Sequence, residues 1–178
     1  MTTGPATTDT MAYRKAMGLF PTGVALITVG SRATAEAVTV NSLTSVSLDP
    51  MLVLISIRWD GKIRDKIENV GGFCVNILSE EQLPLSDSFA RKDRPTGMAA
   101  TQRLGEVTGV TGNPLVTDAL ASLECTLESQ YEGGDHVLFL GRVAAIHLGD
   151  AERRPLLTHQ GHYVPIAASP TTGSARGR

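Results

Sequence analysis

The stretch ASLECTLESQYEGGDHVLFLGRVAAIHL, residues 121–148, decides the fold class. From Ala121 to Tyr131, Leu123, Cys125, Leu127 and Tyr131 fall on one face and Glu124, Thr126, Glu128 and Gln130 on the other. A period of two is the pattern of a strand with one side on a core. Gly133-Gly134 supplies a turn, because glycine accepts the backbone conformations that a tight reversal demands. His136 to Leu148 then reads as a second long strand, apolar on both faces, with Gly141 as a candidate bulge. A strand covered on both sides points to a barrel or to a dimer interface.

The flanking sequence repeats the theme. Val24–Val29, Ala35–Val40, Met51–Ile57 and Phe73–Leu78 are short runs rich in branched residues, separated by Gly, Ser, Asp and Pro. Between them Lys62–Val70 has a helical pattern ended by Gly71. Asp9 or Thr10 can cap a first helix carrying Tyr13, Met17 and Phe20 at helical spacing. Ser79 and Gln82 form a capping-box pattern ahead of a segment to Phe89, in which Pro84 favours a start at that residue. Lys92–Pro114 is polar and rich in Gly and Pro, which predicts a long functional loop or lid. Many strands with few helices between them argue for a mainly β domain closed into a barrel, not for a doubly wound sheet.

With 178 residues and 42% hydrophobic content the chain can bury one core, expected over residues 11–166, between tails at 1–10 and 167–178. The net charge of -2 provides no broad basic field for nucleic acid or an anionic membrane, so any bound anion needs a local cationic cluster. No apolar stretch is long enough for a membrane helix, and no signal-peptide pattern opens the sequence. Cys74 and Cys125 each lie in an apolar strand-like run, which suits buried free thiols in a reducing cytoplasm.

Several chemistries are disfavoured. A Rossmann fingerprint is missing; Gly61-Lys62 lacks both the first glycine and the hydroxyl residue of a P-loop. His159 and His162 have no third ligand nearby, and no serine sits in a nucleophile elbow. The informative block is Val38-Thr39-Val40-Asn41-Ser42-Leu43-Thr44-Ser45-Val46-Ser47-Leu48-Asp49-Pro50, a cluster of hydroxyls and amides between apolar strands. Such a frame offers short donors and acceptors to a flat polar heterocycle; on composition alone it equally describes an edge strand and its turn. Arg58, Lys62 and Arg64, with Arg91 and Lys92, can gather around a phosphate. His136, directly after the glycine turn, can face a ligand at the mouth of its strand.

In wording and order these segments resemble the flavin reductase family, the small reductase components of two-component flavin-dependent monooxygenases. The resemblance runs from about Tyr13 to Val164 and rests on Phe20-Pro21-Thr22-Gly23-Val24, the block from Val40 to Pro50, Phe89-Ala90-Arg91, Leu123-Glu124-Cys125, Gly134-Asp135-His136 and Gly161-His162-Tyr163. It implies a Greek-key FMN-binding split barrel with a few flanking helices, a homodimer, and hydride transfer from NADH, with NADPH open, to FMN or FAD, for delivery to a monooxygenase. By the same resemblance Thr39, Val40, Asn41 and Ser42, with Ser45 and Ser47 beyond them, lie along the flavin. Ser56, Arg58 and Lys62 stand near its ribityl phosphate, and Phe89, Ala90 and Arg91 complete that site. His136, His162 and Tyr163 then face the nicotinamide.

The chain departs from the family in two places. Trp59-Asp60-Gly61-Lys62 replaces a Ser/Thr-rich turn, and the segment 92–112 lacks the aromatic residues of many relatives, which leaves FMN against FAD open. A flavoprotein of the same barrel that keeps its flavin as an oxidase or electron carrier is the competing function. A non-catalytic binding protein is a further one.

Overall fold

The computed structural model describes residues 7–166; the stretches 1–6 and 167–178, which hold most of the two expected tails, lie outside the described residues. The elements in chain order are α1 (Thr10–Gly18), β1 (Thr22–Gly23), β2 (Ala25–Val29), β3 (Glu36–Val40), β4 (Thr44–Leu48), β5 (Met51–Arg58), α2 (Lys62–Val70) and β6 (Gly72–Ile77). After a 3-10 turn at Glu80–Gln82 come α3 (Leu83–Ala90), α4 (Gly97–Leu104), β7 (Val107–Thr108), β8 (Pro114–Leu115), β9 (Ala121–Gly133), β10 (His136–Leu148), β11 (Leu157–His159) and β12 (His162–Val164). The fold is mainly β with a few helices, and among the described residues no helix is long and apolar enough to cross a membrane.

Local chemistry explains the boundaries. Asp9 caps α1 by accepting from the Ala12 amide at 3.0 Å. Gly71 ends α2 in the left-handed conformation at φ 72°, open to glycine at little cost. Ser79 and Gln82 make the capping box, and Pro84 falls within the first two positions of α3, where its missing N–H costs nothing.

The main sheet has the order β3-β2-β6-β9-β10-β5-β4, and every neighbouring pair is antiparallel. The closed barrel expected from the sequence is corrected here: β3 and β4 are the two edges, and the ladder is open. The reason lies just after β3. Instead of pairing with β5, the chain turns at Asn41–Leu43 into β4, and the Ser42 hydroxyl donates to the Ser56 carbonyl at 3.0 Å and accepts from the Ser56 amide at 3.1 Å. One side chain thus ties the turn after β3 to β5, one strand in from the β4 edge, so the sheet curls to bring β3 near β5 without a ladder between them.

Inside the curl, Ile27, Ile55, Phe73, Val75, Cys125 and Phe139 form a core covered by Ile63 and Ile67 of α2. Those two residues are four apart, on one face of the helix. Each such fully buried side chain contributes about 1.5–3 kcal/mol relative to exposure. A second core on the other face joins Leu26 to Phe89 of α3 and to Ala100 and Leu104 of α4. The β9–β10 register shifts between Leu140 and Gly141, as the sequence expects of a bulge. A Cβ on Gly141 would also stand 2.6 Å from Phe73 Cζ, so close aromatic packing requires glycine there.

Two further expectations are revised. The segment 92–114 is not a lid without secondary structure: it contains α4 and the β7–β8 ribbon. α4 is held by tertiary contacts, with Gly97 N–H donating to the Ala35 carbonyl at 2.7 Å and the Thr101 hydroxyl to the Arg32 carbonyl at 2.7 Å. Glu124 belongs to the face of β9 read as polar, yet it is fully buried. The loop between β7 and β8 covers it, and its carboxylate accepts from the Val110 amide (3.1 Å), the Thr111 amide and hydroxyl (both 2.7 Å) and His147 Nε2 (2.7 Å).

Candidate active site

A cleft of about 720 Å³ opens where the curled sheet is joined by Ser42. Its walls come from the end of β3 (Thr39, Val40), the turn at Asn41 and Ser42, the end of β5 (Ser56, Arg58), the start of α2 (Lys62), the end of α3 and the two residues after it (Ala90, Arg91, Lys92) and His136 at the start of β10. These are eleven of the residues singled out from the sequence, brought together from six chain segments. The volume lies within the range of small-molecule and cofactor pockets.

The strand register sets the relations. His136 pairs with Arg58 across the β5–β10 ladder, so both side chains leave the same face at the cleft. The Asp135 carboxylate accepts from His136 Nδ1 at 2.7 Å, which orients the ring and leaves Nε2 available; the same contact holds the Asp135 carboxyl below its usual range. Arg58 grips Asp60 through two hydrogen bonds of 2.9 and 3.0 Å, which lower the Asp60 carboxyl and raise the guanidinium. Both groups are solvent-exposed, so the pair adds little stability.

Electrostatically the cleft is cationic in an otherwise slightly acidic protein. Lys62, Arg91 and Lys92 make no ion pair among the described residues, and Arg94 lines the same wall. The facing carboxylates are already engaged: Lys66 pairs with Glu36 at 3.0 Å and Arg58 with Asp60. The first turn of α2 has no side-chain cap at Gly61, so its amides add partial positive charge to the same wall. Cations with amides at one end and short polar groups at the other suit a phosphorylated heterocycle.

Of the polar groups at the other end, Asn41 is exposed with its amide free of side-chain hydrogen bonds among the described residues, whereas the Ser42 hydroxyl is engaged with Ser56. The Thr39 hydroxyl donates to the Ser86 carbonyl at 2.7 Å, and Ser86 Oγ lies 2.9 Å from the Tyr163 hydroxyl. Burial pushes the Tyr163 phenol up. Tyr163 and Gly161 line a recess next to the cleft that shares Thr39, Val40 and Asn41 with it.

The remaining sequence candidates lie elsewhere. Ser45 and Ser47 are on the edge strand β4, away from the cleft lining; Phe89 is fully buried in the second core; His162 is exposed on β12. Arg94 and Thr96 belong to the cleft and were not read from the sequence. The signal for Arg94 was the short basic run Arg91-Lys92-Asp93-Arg94; Thr96 carries none.

A sequence model described as the flavin reductase like domain matches residues 17–167, and the chain belongs to that family. It is 53% identical over 154 residues to the NADH-dependent FMN reductase AsuE2 of Streptomyces nodosus subsp. asukaensis, covering 86% of this chain and 83% of that protein. Against an NADH-dependent FAD reductase of Streptomyces globisporus the identity is 40%, over 76% of this chain and 74% of the relative. The solved structure of BorF, the flavin reductase component of a bacterial two-component tryptophan halogenase, superposes with a TM-score of 0.83 at 35% identity, covering 90% of this chain and 100% of BorF.

Proposed function

We propose that this protein is an NADH:flavin oxidoreductase that reduces FMN or FAD and passes the reduced flavin to a partner monooxygenase. The observation that carries the reading is the cleft, where Lys62, Arg91 and Lys92, without an ion pair among the described residues, line the same cavity as the short polar groups at Thr39, Asn41 and Ser42. Relatives named as NADH-dependent FMN and FAD reductases support it, as does one solved neighbour described in complex with NAD and FAD fragments.

When both cofactors are bound, hydride leaves nicotinamide C4 for flavin N5, giving the oxidised nicotinamide and reduced flavin. The chain's own residues bind and orient. Lys62, Arg91 and Lys92 hold phosphate; Asn41 and the backbone around it support the ring edge; Asp135 orients His136, which positions the donor. Nothing here needs a protein nucleophile, and alignment of the reacting atoms is the main contribution.

The test is NADH and NADPH oxidation by purified protein with FMN, FAD or riboflavin. Turnover is expected only when flavin is supplied, with NADH the better donor. Flavin-stripped protein that oxidises NADH as fast as supplemented protein rejects the reading, and one flavin per chain surviving turnover after desalting favours a retained prosthetic group instead.

Arg91→Ala is expected to weaken FMN binding while leaving riboflavin binding nearly unchanged, because only FMN carries the phosphate. Arg91 is exposed, so the loss is put at about 1.5 kcal/mol, roughly tenfold in the dissociation constant. Equal FMN affinity in the two proteins removes Arg91 from the site.

A homodimer in a reducing cytoplasm completes the proposal. Ile146 and Leu148 at the end of β10, Leu48 and Met51 at the β4–β5 turn, and Met11, Tyr13, Met17 and Phe20 of the N-terminal segment are large apolar residues left exposed. Apolar surface of this extent is what a second copy would cover. Cys74 and Cys125 are free and buried, and burial pushes both thiols up, Cys125 to about 12. Light scattering is expected to give twice the chain mass; 18.8 kDa at micromolar concentration overturns the dimer.

A further inference from the structure

Beside the cleft, and sharing Arg58 and Asp60 with it, lies a second cavity of about 530 Å³ whose other lining residues are Trp59, Glu132, Gly134 and Asp135. It is built at the meeting of two turns: the Trp59 amide donates to the Asp135 carbonyl at 2.9 Å, tying the chain after β5 to the β9–β10 hairpin. Trp59 is 48% exposed, and the Arg64 guanidinium lies over its ring at 4.8 Å from the centroid. One face of the indole is thus covered by a cation, and that cation is held in turn by Asp65 and by Glu68 at 3.4 Å. A half-exposed indole propped in this way is a stacking platform.

The charges around the platform differ from those of the cleft. Three carboxylates, Asp60, Glu132 and Asp135, line the cavity against one cation, Arg58, and Asp60 already binds that cation bidentately. Neither Arg58 nor Arg64 is free to take a further anion. Carboxylates beside a stacking surface accept hydrogen bonds from ribose hydroxyls and repel a 2′-phosphate.

We infer that this cavity is an adenosine subsite: Trp59 stacks the adenine, Glu132 and Asp135 accept from the ribose, and the carboxylates exclude a 2′-phosphorylated nucleotide. The inference rests on the proposed reductase reading and names the part of the chain that selects the donor. Lys62, which makes no ion pair among the described residues, then lies between the adenosine and the ring end of the cleft, where a pyrophosphate would run. Adenosine diphosphate is common to NADH and FAD, and the experiment separates those two sources.

Trp59 is the single tryptophan of the chain, so its fluorescence reports on this cavity directly. Titration of flavin-free protein with ADP-ribose is expected to change the emission saturably, and 2′-phospho-ADP-ribose to bind at least tenfold more weakly. Glu132→Lys, on the exposed end of β9, is expected to narrow that preference by about tenfold. Trp59→Leu is expected to raise the KM for NADH about tenfold or more while calorimetric FMN affinity, which also reports correct folding, stays the same. If Trp59→Leu instead weakens FAD but leaves the NADH KM unchanged, the adenosine held there is the flavin's. No emission change with ADP-ribose, together with unchanged NADH and FAD parameters in Trp59→Leu, overturns the subsite. ADP-ribose binding is read without turnover, so a chain that binds it yet reduces no flavin overturns the reductase reading and leaves the subsite standing.

Discussion

Glu124→Ala is expected to destabilise the fold by about 3–5 kcal/mol, the range for removing one member of a buried, hydrogen-bonded charge network. The carboxylate is fully buried and accepts from two backbone amides and a hydroxyl of the β7–β8 loop as well as from His147. Alanine leaves those donors without an acceptor and opens space under Gly109, whose backbone is packed against the carboxylate. For a chain of this size the loss corresponds to a fall in Tm of roughly 10 °C or more.

The pH dependence follows from the same contacts. Burial opposes ionisation of Glu124, but the hydrogen bonds from Thr111, His147 and Val110 outweigh it and bring the carboxyl from 4.5 down to about 2. A carboxyl lower in the folded than in the unfolded chain stabilises fully above pH 4.5 and loses that contribution as the pH falls toward 2. Denaturation of wild type and Glu124→Gln should therefore differ most at neutral pH and converge in acid. A constant difference between pH 7 and pH 2.5 would show that charge on Glu124 is not what stabilises the loop.

His136→Ala is expected to slow reduction of bound flavin by NADH tenfold to hundredfold, about 1.4–2.7 kcal/mol in kcat/KM, with flavin affinity little changed. The ring is held by Asp135 at 2.7 Å and stands opposite Arg58 where the cleft and the Trp59 cavity meet. In the proposed site the phosphate is assigned to Arg91 and its neighbours on another wall, which is why the two effects should separate. Stopped-flow reduction, with flavin titration and melting measured in parallel, distinguishes positioning from simple closure of the turn. An unchanged rate and unchanged NADH dependence in a folded variant removes His136 from the reacting end.

Much of the architecture was legible because its causes are local. The β9–β10 hairpin, the bulge at Gly141, the end of α2 at Gly71 and the capping box at Ser79 each follow from residues within a few positions of one another. α4 was hidden because its buried stripe is short, Ala100, Thr101 and Leu104, and its N-terminus is secured by the distant Ala35. Glu124 looked like a solvent-facing member of an alternating strand because the loop that buries it pairs with nothing in the local pattern. In the hydroxyl block, alternation could not separate ligand-facing groups from edge-strand ones: Asn41 lines the cleft, whereas Ser45 and Ser47 fall on β4.

By itself, then, the amino-acid sequence determined the β class, the presence of the β9–β10 hairpin and the family resemblance, since periodicity, turn residues and motif wording are properties of neighbouring positions. The register was not among them, because Gly133, read as a turn residue, pairs with His136 and leaves Gly134-Asp135 as the turn. Tertiary structure alone decided that the sheet stays open, that Ser42 ties the turn after β3 to β5, that Glu124 is buried, and that Lys62, Arg91 and His136 share one cleft beside the Trp59 cavity. Those outcomes depend on which distant segment fills a free edge or shields a charge, and that competition is settled only when the whole chain packs.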